Sequence, residues 1–280
     1  MTVSHAVAPL SGGIAFIGGG NMARSLIAGL LGAGVPAATV EVVEPQAAQQ
    51  HALQQEHGVR AATSVTVATL DAQAVVLAVK PQVLGAVCAE LAPRLAPGTL
   101  VVSIAAGITT ATLRRWLGPG ATLVRAMPNT PALLGAGMTG LFADAEVSPA
   151  DRDIAQAILA SAGQTRWVDE EALMDAVTAV SGSGPAYVFA LAEAMEDAAL
   201  AQGLAADAAR QMVVQTILGA ARMLTESGQS ASALRQAVTS PNGTTQAALE
   251  TLADGGFHQL VGNAVAAAAR RGRELARAGG

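Results

Sequence analysis

The chain has 280 residues, 51% of them hydrophobic, and a formal net charge of −5, which suits one large domain or two modest ones. Its mild acidity, with no Lys/Arg cluster forming a basic stripe, excludes an electrostatic grip on nucleic acid. No run reaches about 18 uninterrupted apolar residues, which excludes a membrane span, and a single cysteine, Cys88, excludes an internal disulfide and a multi-cysteine metal site.

The opening MTVSHAVAPLSGG has neither the charged start nor the apolar core of a secretory signal, so a soluble cytoplasmic protein is expected. Strands are then predicted at 14–18, 39–44, 74–80 and 99–107, with two more at 122–129 and 138–144. Helices are predicted at 21–34 and 45–58, and Ser148-Pro149 opens another. Strand–helix alternation of this kind builds a parallel sheet covered on both faces. From Glu170 onward no strand is expected; helices are predicted at 185–204, 205–227, 244–255 and 257–278. The fold class is therefore α/β. A Rossmann-type dinucleotide-binding domain spans 1–168, followed by an all-helical domain at 169–280. Aromatic residues are only 2% of the chain, and its small apolar side chains suit closely approaching helices and a tight interface.

Gly18, Gly20 and Ala23 fit G-x-G-x-x-[GA] between a predicted strand and a predicted helix. Gly18 permits a tight turn, Gly20 lets backbone approach a pyrophosphate, and Ala23 keeps helix and strand close. Ile17, Gly19, Asn21 and Met22 complete this candidate cradle, where free N–H groups at a helix start would meet phosphates. The glycines alone would also serve a plain strand–helix turn. Glu44 ends the second strand, close to where an acidic residue accepts from the adenosine ribose and disfavours a 2′-phosphate. It reads alternatively as an exposed strand-end charge. Lys80-Pro81 directly follows AVVLAV, and SIAAG (103–107), with Ile104, Ala105 and Ala106, closes the next strand with small residues that let a nicotinamide ring lie against backbone. Lys80 reads equally as a solvated lysine.

Two further segments are rich in turn and hydroxyl residues: SGSGPAY (181–187) and TSPNGTTQAALETL (239–252). Each stands at a helix start and is a candidate carboxylate site, or simply a capped helix. With IGGGNMA (17–23), LAVKPQ (77–82), SIAAGI (103–108), MPNTPA (127–132), VSGSGPAY (180–187) and TSPNGTTQAAL (239–249), the chain resembles the pyrroline-5-carboxylate reductases over 14–275.

The resemblance implies reduction of the cyclic imine 1-pyrroline-5-carboxylate to L-proline by NADPH or NADH, the last step of proline synthesis. It implies that Ser240, Gly243, Thr244 and Thr245 hold the substrate carboxylate, with Ser183 and Gly184 of the other hydroxyl-rich segment counted beside them. On the same resemblance Thr245 is the catalytic candidate, its hydroxyl facing the ring nitrogen, while Ala78, Lys80 and Pro81 with Ile104 to Ala106 would line the cofactor and Asn129 would sit near the nicotinamide end. The helical domains of two subunits would interlock as a homodimer, extending in many relatives to a decamer. Two residues depart from the family pattern. Asn242 replaces the first glycine of the usual Pro-Gly-Gly, and Glu44 stands where many relatives carry Ser, Asn or Arg for the NADP phosphate. Glu44 thus points toward NADH.

Reduction of a protonated imine needs positioning more than covalent catalysis, and His5, His51, His57 and His258 lie outside every motif. A β-hydroxyacid dehydrogenase is the rival enzyme reading; it would need a lysine in the helical half, and none follows Lys80. A non-enzymatic dinucleotide sensor is the third reading, against which 240–245 stands intact. Glu193, Glu196 and Asp197 share a helix face that reads as solvated or interfacial, and no metal is expected.

Overall fold

The computed structural model describes Leu10 and residues 12–278. By packing, the chain forms two units: the residues up to Ser183 together with those from Ala268, and Gly184–Ala267. Strand content ends earlier, at Trp167.

The first unit is built on an eight-stranded sheet of order β3-β2-β1-β4-β5-β6-β7-β8. The strands are β1 (Ile14–Ile17), β2 (Val40–Val43), β3 (Arg60–Ala62), β4 (Ala74–Leu77), β5 (Leu100–Ser103), β6 (Thr122–Met127), β7 (Gly137–Ala143) and β8 (Gly163–Trp167). Between them run α1 (Asn21–Gly32), α2 (Ala47–His57), α3 (Val67–Leu70), α4 (Pro81–Leu91), α5 (Thr110–Leu117) and α6 (Pro149–Ala160). Alternation along the strands sorts the core onto two faces. Phe16, Val42, Val76 and Val102 pack with Leu26 and Ile27 of α1 and Ile158 of α6. Ala15, Val75, Leu77 and Val101 pack with Leu84 and Cys88 of α4 and Leu113 of α5. Because both faces are covered, the central strands read as continuous apolar runs.

All six expected strands form, but the sheet is not wholly parallel: β6 and β7 pair antiparallel. Only a short 3-10 turn, Thr130–Leu134, joins them, and a parallel return needs a crossover of a dozen or more residues. The two strands not anticipated, β3 and β8, are the edges of the sheet. Neither carries the buried apolar run that marks the centre.

The chain runs from β1 to β2 and β3, then crosses back to place β4 on the other side of β1. Such a reversal opens a crevice beyond the carboxyl ends of β1 and β4, the usual ligand site of doubly wound sheets.

After β8 the chain forms α7 (Met174–Val177) and a π-helical turn, Thr178–Gly182. The second unit contains α8 (Gly184–Ala201), α9 (Ala206–Glu226), α10 (Ala231–Ala237) and α11 (Thr244–Asp254). It ends within α12 (Phe257–Ala278), whose last residues pack with the first unit. Among the described residues of the second unit, Ala209 and Val213 are the buried apolar ones, while Phe189 is 66% and Leu260 67% exposed. These helices have almost no core of their own.

Candidate active site

The turn after β1 shows which glycines the fold demands. Gly18 has φ +101°, and a Cβ there would stand 2.7 Å from the Ala78 carbonyl oxygen and 2.9 Å from Val79 Cγ1. Its N–H donates to Val43 O at 2.8 Å, while Ala78 N–H donates to Ile17 O at 2.8 Å, tying the ends of β1, β2 and β4 together. A Cβ on Gly19 would meet Leu53 Cδ1 at 2.6 Å.

Gly20 is different. It is the N-cap of α1 with φ −69° and ψ 178°, angles that any residue adopts. A Cβ there would meet nothing within 4 Å. No side chain caps α1, so the helix start faces open space through a residue without one. That is the geometry a pyrophosphate cradle requires, and the dinucleotide fits it. Asn21 is exposed beside it and Met22 half-buried, whereas the Ile17 side chain belongs to the core and offers only backbone.

Glu44 is buried, not the exposed charge of the alternative reading. Its Oε2 accepts from Gly19 N–H at 3.0 Å and its Oε1 from Gln46 N–H at 3.0 Å. Sequence reading missed Arg24, whose Nε donates to Gly19 O at 3.2 Å from the other side of the same loop. Twenty residues separate Arg24 from Glu44, so only the fold brings them to one peptide.

On the far side of β1, exposed Lys80 caps α4, with Pro81 at the first helical position. Ile104 N–H donates to Leu77 O at 3.2 Å, placing the chain after β5 beside the end of β4. Ala105 is buried and Ala106 exposed. Gly107, at φ +76°, lies against the end of α12; a Cβ there would stand 3.5 Å from Leu275 Cβ.

Asn129 is a brace. Its Oδ1 accepts from Met138 N–H at 2.9 Å and its Nδ2 donates to Ser181 O at 3.0 Å, linking the end of β6, the start of β7 and the π-helical turn. Gly182 sits close on Met127, where a Cβ would meet Cε at 2.7 Å. The segment read as a hydroxyl-lined loop is thus partly this turn, with Ser183 N–H donating to Thr178 O at 2.8 Å and α8 starting at Gly184. A second brace was not legible in the sequence. Glu171 accepts from Thr110 N–H at 2.7 Å and Thr110 Oγ1 at 2.9 Å, and pairs with buried Arg125 at 3.0 Å.

The second anion-ready helix end is that of α11. Asn242 holds φ 58°, a left-handed conformation that asparagine tolerates in place of glycine. Its N–H donates to Gln246 Oε1 at 2.8 Å, and Gly243 N–H to Ser240 O at 3.1 Å. Gly243 is the N-cap with no side chain on the helix end. The first turn is therefore left open among Ser240, Thr244 and Thr245, of which Thr245 is half-buried. Among the described residues no group of three His, Cys, Asp or Glu side chains converges as a metal site. No described helix is long and apolar enough to cross a membrane.

A phosphate cradle at the switch point of a doubly wound sheet, followed by a helical unit, defines a dinucleotide-dependent oxidoreductase. Residues 13–107 match the family model for NADP oxidoreductases, coenzyme F420-dependent, and residues 171–275 that for pyrroline-5-carboxylate reductase dimerisation. The chain is 51% identical to a pyrroline-5-carboxylate reductase of Pseudomonas aeruginosa, over 94% of this chain and 96% of that one. It is 38% identical to that of Escherichia coli, over 94% and 98%. Among solved structures, the pyrroline-5-carboxylate reductase of Coxiella burnetii superposes with a TM-score of 0.91 at 41% identity, covering 94% of this chain and 98% of that one. The Plasmodium falciparum pyrroline carboxylate reductase with NADP bound gives a TM-score of 0.84 at 29% identity, covering 95% and 99%. The chain belongs to the pyrroline-5-carboxylate reductase family.

Proposed function

We propose that the protein reduces the C=N bond of 1-pyrroline-5-carboxylate to give L-proline, using NADH or NADPH, as the last step of proline synthesis. The carrying observation is the 51% identity to the Pseudomonas aeruginosa reductase across nearly the whole of both chains. The open α1 cradle gives it a physical footing.

The dinucleotide, when bound, supplies a hydride from its nicotinamide. The chain's part is to bind, orient and exclude water. Gly18 and Gly19 shape the turn, Gly20, Asn21 and Met22 offer backbone N–H groups to the phosphates, and Glu44 takes the ribose hydroxyls. Ala78, Lys80, Pro81 and Ile104–Ala106 line the cofactor toward its nicotinamide end, whose wall Asn129 braces. N–H groups at the start of α11, with Ser240, Gly243 and Thr244, hold the substrate carboxylate, assisted by Ser183 and Gly184. The Thr245 hydroxyl hydrogen-bonds the ring nitrogen and relays a proton from water. A protonated imine is already electrophilic, so alignment supplies most of the rate.

The all-helical stretch at 169–280, by this reading, is the dimerisation and substrate-binding domain. Its exposed apolar side chains and the matched dimerisation model support an intertwined homodimer, with a decamer as the larger assembly. The proposed compartment is the cytoplasm. The test is direct. Purified protein mixed with the imine should oxidise NADH or NADPH in proportion to proline formed; oxidation of neither would refute the function.

A further inference from the structure

We infer that the cradle selects NADH over NADPH because the chain fills its own 2′-phosphate position with the Glu44 carboxylate and ties up the nearest cation. The inference rests on the proposed dinucleotide site and adds its specificity.

The first observation is how firmly Glu44 is placed. It is buried, and each oxygen accepts one backbone N–H, from Gly19 and from Gln46. A carboxylate has about four lone-pair positions, so about two remain to accept from a ribose 2′,3′-diol. A 2′-phosphate brings only acceptors and about −1.5 to −2 further charge. It would meet an anion that cannot swing away without abandoning two backbone donors.

The second observation concerns α2, whose amino end lies just beyond Glu44. Helix starts attract anions, and a 2′-phosphate would ordinarily exploit this one. Gln46 is the N-cap of α2 and gives its N–H to Glu44. The anion that this helix end attracts is already supplied by the protein.

The third is the fate of the cations. Arg24 flanks the same Gly19 peptide, but each of its three guanidinium nitrogens already has a partner. Nε donates to Gly19 O at 3.2 Å, Nη2 to Gln49 Oε1 at 2.7 Å, and Nη1 pairs with Glu56. Arg60 begins β3, a strand parallel to β2, and so stands at the opposite, amino end of the sheet. Lys80 follows β4, on the other side of β1 from β2. His51 and His57 are on α2, and His57 lies 3.8 Å from Glu56. Among these described residues, none of the guanidinium or ammonium groups is placed to neutralise a 2′-phosphate.

The experiment is calorimetric titration of the purified protein with ADP-ribose and with 2′-phospho-ADP-ribose, alongside kcat/KM for NADH and NADPH. Wild type should bind ADP-ribose at least ~10-fold more tightly, with the same order in kcat/KM. Glu44→Gln removes the charge while keeping the shape, and Glu44→Ser opens the space; each should narrow the ratio. Adding Glu56→Gln to Glu44→Ser should release Arg24 and raise affinity for the 2′-phosphate further. Equal or tighter wild-type binding of 2′-phospho-ADP-ribose would overturn the selectivity while leaving the cradle intact. Failure of both ligands to bind would overturn the cradle itself, and the selectivity with it.

Discussion

Replacing Gly20 by serine separates a phosphate cradle from a mere turn, because the two give opposite signs. Gly20 has the extended N-cap geometry of α1, and a Cβ would enter open space. Serine is a better N-cap than glycine by a few tenths of a kcal/mol, since its hydroxyl accepts from an N–H of the first turn. The ligand-free variant should therefore melt within about 1 °C of wild type, on the high side if anything. Cofactor binding should move the other way. The new side chain occupies the approach and consumes an N–H meant for a phosphate oxygen. A hydrogen bond to a charged group is worth about 1.5–3 kcal/mol, so Kd should rise roughly 10- to 100-fold. Thermal denaturation and calorimetric titration with NADH on the same preparation supply both numbers. An unchanged Kd would refute the cradle at α1; a melting temperature lowered by many degrees would show that the fold itself requires glycine there.

Three other outcomes are expected. Thr245→Ala should lower kcat by about 10- to 100-fold, as loss of a hydrogen bond to the reacting nitrogen would, with cofactor Kd unchanged and Thr245→Ser largely retaining activity; undiminished kcat in Thr245→Ala would remove that residue from the mechanism. Glu171→Ala strands Arg125, whose side chain is only 5% exposed, and should cost about 3 kcal/mol in denaturant unfolding, with Glu171→Gln costing less; a loss under ~0.5 kcal/mol would show the pair to be dispensable. Burial pushes the Cys88 thiol from 9.0 to about 11. The folded thiol then stays protonated where the unfolded one ionises, so its contribution is full below pH 9 and is lost as pH rises toward 11. Cys88→Ala should flatten that alkaline decline in stability, and an identical decline would contradict the assignment.

The readability of the sequence divided along physical lines. Central strands such as AVVL at Ala74–Leu77 are buried on both faces, so their apolar runs were plain. Edge strand β3 has three residues and an exposed Arg60, and β8 alternates half-buried with exposed side chains; neither has a run to read. The glycine cradle was legible because Gly18 and Gly20 stand two residues apart in one short motif. Even so, their roles separate only in three dimensions, one being demanded by φ and the Ala78 carbonyl and the other by nothing in the fold. The braces at Asn129 and Glu171 span 52 and 46 residues to Ser181 and Arg125. No local pattern carries such pairs. The π-helical turn at Thr178–Gly182 was hidden by Ser and Gly residues that ordinarily mark loops.

Hydride transfer to the imine carbon is the central chemical step, and deuterium traces it most directly. The purified protein would be given 1-pyrroline-5-carboxylate with nicotinamide cofactor deuterated at the transferring position of C4. The product would then be examined by mass spectrometry and NMR. The expected product is L-proline carrying a single deuterium at C5. Failure to form proline, or deuterium absent from C5, would contradict reduction of the ring imine by this protein.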